Sequence, residues 1–180
     1  MVYVMLGTGF EEIEAMTPVD LLRRAGAEVI TVGLNGKTVY GGHGIGFVAD
    51  ITAEEMDLSK LDMIVLPGGL GGVASIRGCK IAMDAIRFAH ANHKYVAAIC
   101  AGPTILAELG ITDGKQAVCY PGCEAEMGNA HILPDAPCIR DGHVITAASA
   151  GCAAAFALEL IAALQGQDVA DRIAAQIVIR

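Results

Sequence analysis

The chain has 180 residues, of which 54% are hydrophobic and 18% charged, and its formal net charge is −8. This length suits one domain over residues 1–180, because no stretch rich in Pro, Gly, Ser or charge marks a boundary. The acidic balance and the lack of a Lys/Arg cluster argue against nucleic-acid binding, which depends on contacts with phosphates.

The first part of the chain predicts alternating strands and helices. Val2 to Leu6 is a short apolar run typical of a buried strand. Glu11 to Ala25 has the apolar spacing of a helix, which Gly26 ends. Glu28 to Leu34 alternates as a second strand, and Lys37 to Val48 indicates a glycine-rich hairpin.

The middle of the chain repeats this alternation. Asp62 to Leu66 predicts an apolar strand, and Pro67 to Gly72 predicts a flexible loop. Ile81 to Ala91 predicts a helix, and Tyr95 to Ile99 predicts a strand buried on both faces. A further helix begins at Pro103, since proline suits a first turn in which its missing N–H has no partner.

Short strands and a last helix complete the prediction. The strands are Ala117 to Cys119, Ala136 to Ile139 and His143 to Thr146, and the alanine-rich helix runs from Ala153 to Leu164 and is closed by Gly166. Strands that alternate with helices predict an α/β fold, in which a parallel sheet lies between helical layers.

Three loops leave the carboxyl ends of predicted strands, where α/β proteins bind ligands: 7–14, 67–72 and 100–103. We expect them to meet at one edge of the sheet. No G-x-G-x-x-G sequence opens a helix, and the glycine-rich loop 67–72 lacks a phosphate-binding lysine. A nucleotide-binding role is therefore not expected.

Cys100 lies between a predicted strand and a predicted helix. The free amides and partial positive charge of a helix N-terminus favour a thiolate, the nucleophilic form of cysteine. This position predicts a reactive thiol with a low pKa. The alternative is a small apolar side chain that only fills the core.

The other cysteines and the chain ends bear on location and metal binding. Six cysteines without an export signal indicate reduced thiols in a cytoplasmic protein, and no membrane segment is expected because the uncharged stretch 144–158 stops at Glu159. Cys119, Cys123 and His131 match no zinc-binding spacing, so we expect no metal or cofactor. The high apolar content favours a homo-oligomer.

Three motifs occur together in an informative order: 11–14 (Glu-Glu-Ile-Glu), 66–69 (Leu-Pro-Gly-Gly) and 98–104 (Ala-Ile-Cys-Ala-Gly-Pro-Thr). With 18–20 and 23–26, they resemble the ThiJ/PfpI superfamily, in the branch of the parkinsonism-associated protein deglycase. The resemblance implies a flavodoxin-like three-layer sandwich with a mostly parallel sheet, a symmetric homodimer, and a nucleophilic cysteine on a strand-to-helix elbow.

The same resemblance implies roles for individual residues. Cys100 matches the nucleophile, and Glu14 matches the carboxylic acid that hydrogen-bonds to its sulfur. The backbone amides of Gly69 and Ala101 match the oxyanion-binding positions, and Gly68 is a possible accessory residue. Because a neighbouring negative charge raises the pKa of a carboxyl group, we expect a neutral Glu14 that donates to a Cys100 thiolate.

Tyr120 stands where many members of the superfamily have a histidine. A tyrosine can donate a hydrogen bond, but its usual pKa near 10 makes it a poor base at neutral pH. Its role is therefore at most accessory. His43 and Ala148 stand where close relatives have arginines, so fewer positively charged side chains are available to bind an anionic ligand. None of the other histidines is expected to replace the missing one: His90, His93, His131 and His143.

Two functional hypotheses remain. The first is a Cys100-dependent enzyme that acts on small aldehydes or glycated substrates, as a glutathione-independent glyoxalase or a deglycase. The second is an oxidation-sensing or chaperone-like protein that uses Cys100 without turnover. The resemblance also includes a role in thiazole monophosphate biosynthesis, but this chain has no phosphate-binding loop to support it. Proteolysis is the activity against which the absent histidine argues most strongly.

Overall fold

The structure is a computed structural model that describes residues 1–179. Its strands are β1 (Val2–Leu6), β2 (Val29–Gly33), β3 (Thr38–Tyr40), β4 (Gly46–Val48), β5 (Ile51–Thr52), β6 (Met63–Leu66), β7 (Tyr95–Ile99), β8 (Gln116–Ala117), β9 (His131–Ile132), β10 (Cys138–Asp141) and β11 (Val144–Ala147). Its α-helices are α1 (Glu12–Arg24), α2 (Leu70–Gly78), α3 (Lys80–Ala91), α4 (Pro103–Glu108), α5 (Ala153–Gln165) and α6 (Gln167–Gln176).

The central sheet has seven strands in the order β10-β11-β7-β6-β1-β2-β5. All neighbours in this sheet pair in parallel except β10 and β11. The hairpin β3–β4 lies outside it as a separate antiparallel pair, and β8–β9 form a short parallel pair. The predicted α/β fold with a mostly parallel sheet is thus confirmed.

Helices cover both faces of the sheet, because successive strand residues point to opposite sides. Val4 and Val65 pack into the core that contains buried residues of α1, α5 and α6. Met5 and Ile64 pack into a second core, with buried residues of α2, α3 and α4. This three-layer arrangement explains why the central strands are continuously apolar.

One predicted loop is partly wrong. Pro67 to Gly72 was expected to be a flexible loop, but α2 begins at Leu70 and includes Gly71 and Gly72. Glycine disfavours helices, which is why the sequence pattern indicated a loop. The structure supplies the reason for the glycine, because a Cβ at Gly72 would lie 2.7 Å from the Cα of Phe10. Close packing between α2 and the loop after β1 therefore overrides helix propensity.

The end of the chain also differs from the prediction. Gly166 does close α5, but it adopts a φ of 95° and leads directly into α6, which buries Ala170 and Ile173. The strand predicted at 117–119 is observed as the shorter β8, which begins at Gln116. The strand predicted at 136–139 is observed as β10, which begins at Cys138 and ends at Asp141. The bounds of these short strands are set by backbone pairing of β8 with β9 and of β10 with β11, which side-chain patterns define poorly.

No helix among residues 1–179 is long and apolar enough to cross a membrane.

Phe156 provides a test of this packing, because its side chain in α5 is fully buried against the sheet. We expect Phe156→Ala to lower the free energy of unfolding by about 3–5 kcal/mol through lost burial and the cavity left behind. Ile81→Ala on the exposed side of α3 is the matched control, with an expected change within about 0.5 kcal/mol. Urea denaturation measures both, and equal effects would contradict the core assignment.

Candidate active site

The three predicted loops meet at the carboxyl edge of β1, β6 and β7, which are neighbours in the sheet. The Glu11 N–H donates to the Gly68 carbonyl at 3.0 Å. The Gly68 N–H in turn donates to Glu14 Oε2 at 2.8 Å. The expected convergence is therefore confirmed, and it brings the start of α1 against the loop after β6.

Cys100 occupies the turn between β7 and α4 in the left-handed region, with φ of 65°. A residue with a side chain costs about 1–3 kcal/mol in such a conformation, so surrounding contacts must hold it. The Cys100 N–H donates to the Ala147 carbonyl at 2.9 Å, and the Tyr120 N–H donates to the Cys100 carbonyl at 2.8 Å. The backbone thus forms the elbow implied by the family resemblance, and its strain presents the side chain at the sheet edge.

Glu14 is buried, with 1% of its surface exposed, in the first turn of α1. Burial raises the pKa of its carboxyl group to about 7, and the nearby charge of Glu11 acts in the same direction. The Gly68 N–H and the Cys100 thiol lower this pKa but do not overcome burial. The expected upward shift is present, and the oxygen Oε1 has no conventional hydrogen-bond partner among the described residues.

The low thiol pKa expected for Cys100 is not found. Burial, together with the negative charge of Glu14, raises the pKa of Cys100 to about 12. The backbone amides of Ala101 and Gly69 act in the opposite direction, but they are outweighed. Helix α4 has only six residues, so its dipole cannot offset desolvation of the sulfur. Burial therefore opposes charge on both groups, and the Glu14 carboxyl group and the Cys100 thiol titrate as a pair that shares one proton at neutral pH.

Two glycines allow this close arrangement. A Cβ at Gly68 would lie 2.6 Å from Glu14 Oε2, 2.7 Å from Cys100 Cβ and 3.1 Å from Cys100 Sγ. Gly69 has φ of 83°, and a Cβ there would lie 2.5 Å from the Gly9 carbonyl oxygen. Glycine is required at both positions, since any larger residue would displace the acid, the thiol or the loop after β1.

A pocket of about 250 Å³ opens beside the thiol. Its lining residues are Glu11, Gly69, Leu70, Cys100, Ala101, Tyr120 and Cys123. The sequence pattern indicated that Cys123 flanks the pocket segment, but it assigned no role to Leu70, which directly follows Gly69. Leu70 is 84% exposed, so an apolar side chain stands at the pocket mouth.

One other group of possible ligand atoms lies close to the pocket. Among residues 1–179, three potential ligand atoms come within 4.8 Å of one another only at Glu11, Glu12 and His43, and Cys119 and Cys123 take no part. Glu12 is already engaged, because Oε1 accepts from the His43 N–H and Oε2 contacts His43 Nδ1, both at 2.8 Å. This group is an ion pair that ties the hairpin β3–β4 to α1.

The requirement for glycine at position 68 is testable. We expect Gly68→Ala to speed alkylation of Cys100 by iodoacetamide roughly tenfold, since the new Cβ separates the thiol from the Glu14 carboxylate, whose charge raises the thiol pKa. The same change should cost about 1–3 kcal/mol in stability through overpacking. Gly78→Ala is the control, because a Cβ there meets nothing within 4 Å. An alkylation rate in Gly68→Ala equal to that of the wild type would contradict the assigned contact between Glu14 and Cys100.

Known proteins share this architecture over nearly the whole chain. Drosophila melanogaster protein dj-1beta is 34% identical over 173 residues, covering 95% of this chain and 92% of its own. The Parkinson disease protein 7 homolog of Danio rerio is 33% identical over 181 residues, covering 98% and 96%. A Pyrococcus horikoshii protein named a deglycase is 32% identical over 138 residues, covering 76% and 82%.

Solved structures agree with these sequence relationships. The crystal structure of Drosophila melanogaster DJ-1beta superposes with a TM-score of 0.95 at 32% identity, covering 99% of this chain and 97% of that one. The oxidized Toxoplasma gondii DJ-1 structure gives a TM-score of 0.91 at 31% identity, covering 98% and 97%. The profile of the DJ-1/PfpI family matches residues 1–163. The chain therefore belongs to the DJ-1/PfpI family.

Proposed function

We propose that this protein is a cysteine-dependent enzyme for small reactive carbonyls, of the glutathione-independent glyoxalase or deglycase type. The observation that carries the proposal is the pairing of buried Glu14 with Cys100 across Gly68, at the base of an open pocket. The deglycase names of Pyrococcus relatives support the same chemistry. A pocket of about 250 Å³ suits a small aldehyde or the glycated end of a larger substrate.

The order of proton transfers follows from the two pKa values. With Glu14 ionised and Cys100 protonated, Sγ attacks the aldehyde carbon while its proton passes to the Glu14 carboxylate. The developing oxyanion is held by the Gly69 and Ala101 amides, then takes this proton to complete a hemithioacetal. Formation of the nucleophile within the complex removes the need for a free thiolate.

Glu14 can then complete an internal redox rearrangement. Its carboxylate removes the proton on the former aldehyde carbon to give an enediol-type intermediate and returns that proton to the adjacent carbon. The hydroxyl proton of the hemithioacetal passes to the oxygen of that adjacent carbon, and the product is a hydroxy thioester on Cys100. Water hydrolyses the thioester to a hydroxy acid and restores the thiol. One carbon is oxidised and its neighbour is reduced, so the steps balance without an external oxidant. Tyr120, at the pocket rim and 48% exposed, is an accessory hydrogen-bond donor in this proposal.

An oxidation-sensing role is the second candidate. The Ala101 and Gly69 amides that lower the pKa of Cys100 would equally stabilise a negatively charged oxidised sulfur. The similar Toxoplasma gondii DJ-1 is described as oxidized. This role needs the acid, the thiol and the amides but no turnover, so product formation separates the two functions.

The proposed enzyme is a cytoplasmic homodimer of a single 1–180 domain. Exposed apolar side chains occur on α1 and on the hairpin β3–β4, at Ile13, Tyr40 and Val48, which are 54%, 56% and 78% exposed. The Glu12–His43 ion pair holds these two elements together. A second copy of this chain is the expected occupant of that surface, consistent with the helix 11–25 interface implied by the resemblance.

Methylglyoxal turnover tests the enzymatic proposal. We expect the wild type to release lactate and Cys100→Ala to release none, because the covalent step requires Sγ. Cys152→Ser is the matched control, since it removes another partly buried free thiol outside the pocket. A stoichiometric adduct on Cys100 without lactate would overturn the enzyme proposal and support the sensing role.

The pH profile tests the role of Glu14. With a pKa of about 7, Glu14 is available as a base only above that pH, so kcat/KM should rise about tenfold per pH unit below 7 and level off above it. Glu14→Gln should lower kcat/KM at pH 8 by roughly a hundredfold or more and remove the inflection. Glu11→Gln should keep the plateau and shift the inflection to lower pH, because Glu11 raises the pKa of Glu14. An unchanged inflection in Glu14→Gln would contradict the assignment.

A further inference from the structure

Three histidines lie together at the amino edge of the sheet, at the opposite ends of the strands from Cys100. His90 is in the last turn of α3, His93 follows that helix, and His143 lies in the turn between β10 and β11. They are separate from the pocket and take no part in the proposed carbonyl chemistry. Sequence reasoning considered these residues only as replacements for a missing catalytic histidine.

Backbone pairing places these residues next to each other. The parallel register sets Val144 of β11 beside Val96 of β7, and the Val96 N–H donates to the His143 carbonyl at 2.9 Å. The His93 N–H donates to the His90 carbonyl at 3.1 Å, and His93 has φ of 55° where the chain leaves α3. The cluster therefore depends on two rigid elements, not on a long loop.

The side chains approach at distances useful for coordination. His143 Nε2 and His90 Nδ1 are 3.0 Å apart, with ring centroids at 5.0 Å. His93 stands edge-on to His143 with centroids 5.6 Å apart. Zn–N bonds of 2.0–2.1 Å in tetrahedral geometry separate two ligand nitrogens by about 3.3 Å, which is close to the separation of the first pair. These two nitrogens now face each other in a hydrogen bond, so both rings must turn for their lone pairs to point to one ion.

We infer that His90, His93 and His143 form a binding site for a divalent transition metal that prefers imidazole, such as Zn²⁺, Co²⁺ or Ni²⁺. His90 Nδ1 and His143 Nε2 provide two ligands. The ring nitrogens of His93 do not lie within 4.8 Å of both other ligand atoms in this structure, so its exposed side chain provides the third ligand only after rotation about its side-chain bonds. The hydrogen now shared by the first two nitrogens moves to the other nitrogen of its own ring, and water completes the coordination.

The local charges are compatible with this site. Burial lowers the pKa of His90 and of His143, and the charge of Lys115 acts in the same direction. Neutral imidazole is the form that binds a metal. Lys115 Nζ lies 3.9 Å from Asp141 Oδ1, and this carboxylate offsets part of its repulsion toward a cation.

Cobalt binding tests the proposal in the full-length protein with reduced thiols. We expect one Co²⁺ per chain by calorimetry, with visible absorption that lacks a thiolate-to-cobalt charge-transfer band. His90→Ala and His143→Ala should each weaken binding by more than the roughly 10–100-fold that loss of an outer-sphere partner costs. His93→Ala should also weaken binding without changing the circular dichroism spectrum of the metal-free protein, because its side chain is exposed.

Two controls keep this test independent of the carbonyl chemistry. Cys100→Ser should bind Co²⁺ as the wild type does, and His43→Ala should too, which excludes the group Glu11, Glu12 and His43. Wild-type affinity in any of the three cluster variants, or a thiolate charge-transfer band, would overturn the inference. His143→Ala should turn over methylglyoxal at the wild-type rate. The metal-binding measurements therefore test the histidine site, and the turnover measurements test the carbonyl chemistry independently.

Discussion

The site depends on one contact between two distant segments, the hydrogen bond from the Gly68 N–H to the Glu14 carboxylate at 2.8 Å. It crosses from the loop after β6 to the first turn of α1 and holds the acid against the thiol of Cys100. The contact is possible because position 68 has no side chain and because β1, β6 and β7 lie side by side. The alternating apolar cores on both sheet faces keep these strands in place.

Burial decides how protons are distributed at this site. Partial positive charge at a helix N-terminus favours a thiolate, and this argument alone predicted a low pKa for Cys100. The structure buries Glu14 and half-buries Cys100, and desolvation raises both pKa values. In the mechanism that we propose, the Glu14 carboxylate generates the nucleophile when substrate arrives, so the free protein needs no standing thiolate.

The two edges of the sheet offer different chemistry. At the carboxyl edge, loops converge on a strained cysteine, a buried acid and backbone amides. At the amino edge, the β7–β11 register brings His143 to His90 at the end of α3. Coordination at the second edge would bridge α3 and the β10–β11 turn without entering the pocket, so metal binding would stabilise the fold by mass action and leave the thiol free.

The sequence by itself determined the alternating elements, the α/β class and the candidate residues Cys100 and Glu14, because hydrophobic periodicity and short motifs are local properties. The strand Tyr95–Ile99 was predicted to the residue. Only the tertiary structure decided that Gly71 and Gly72 belong to a helix and that burial raises the pKa of Cys100. Strand order, close packing and desolvation depend on residues far apart in the chain. Local sequence patterns do not indicate which distant groups will exclude water from a given side chain.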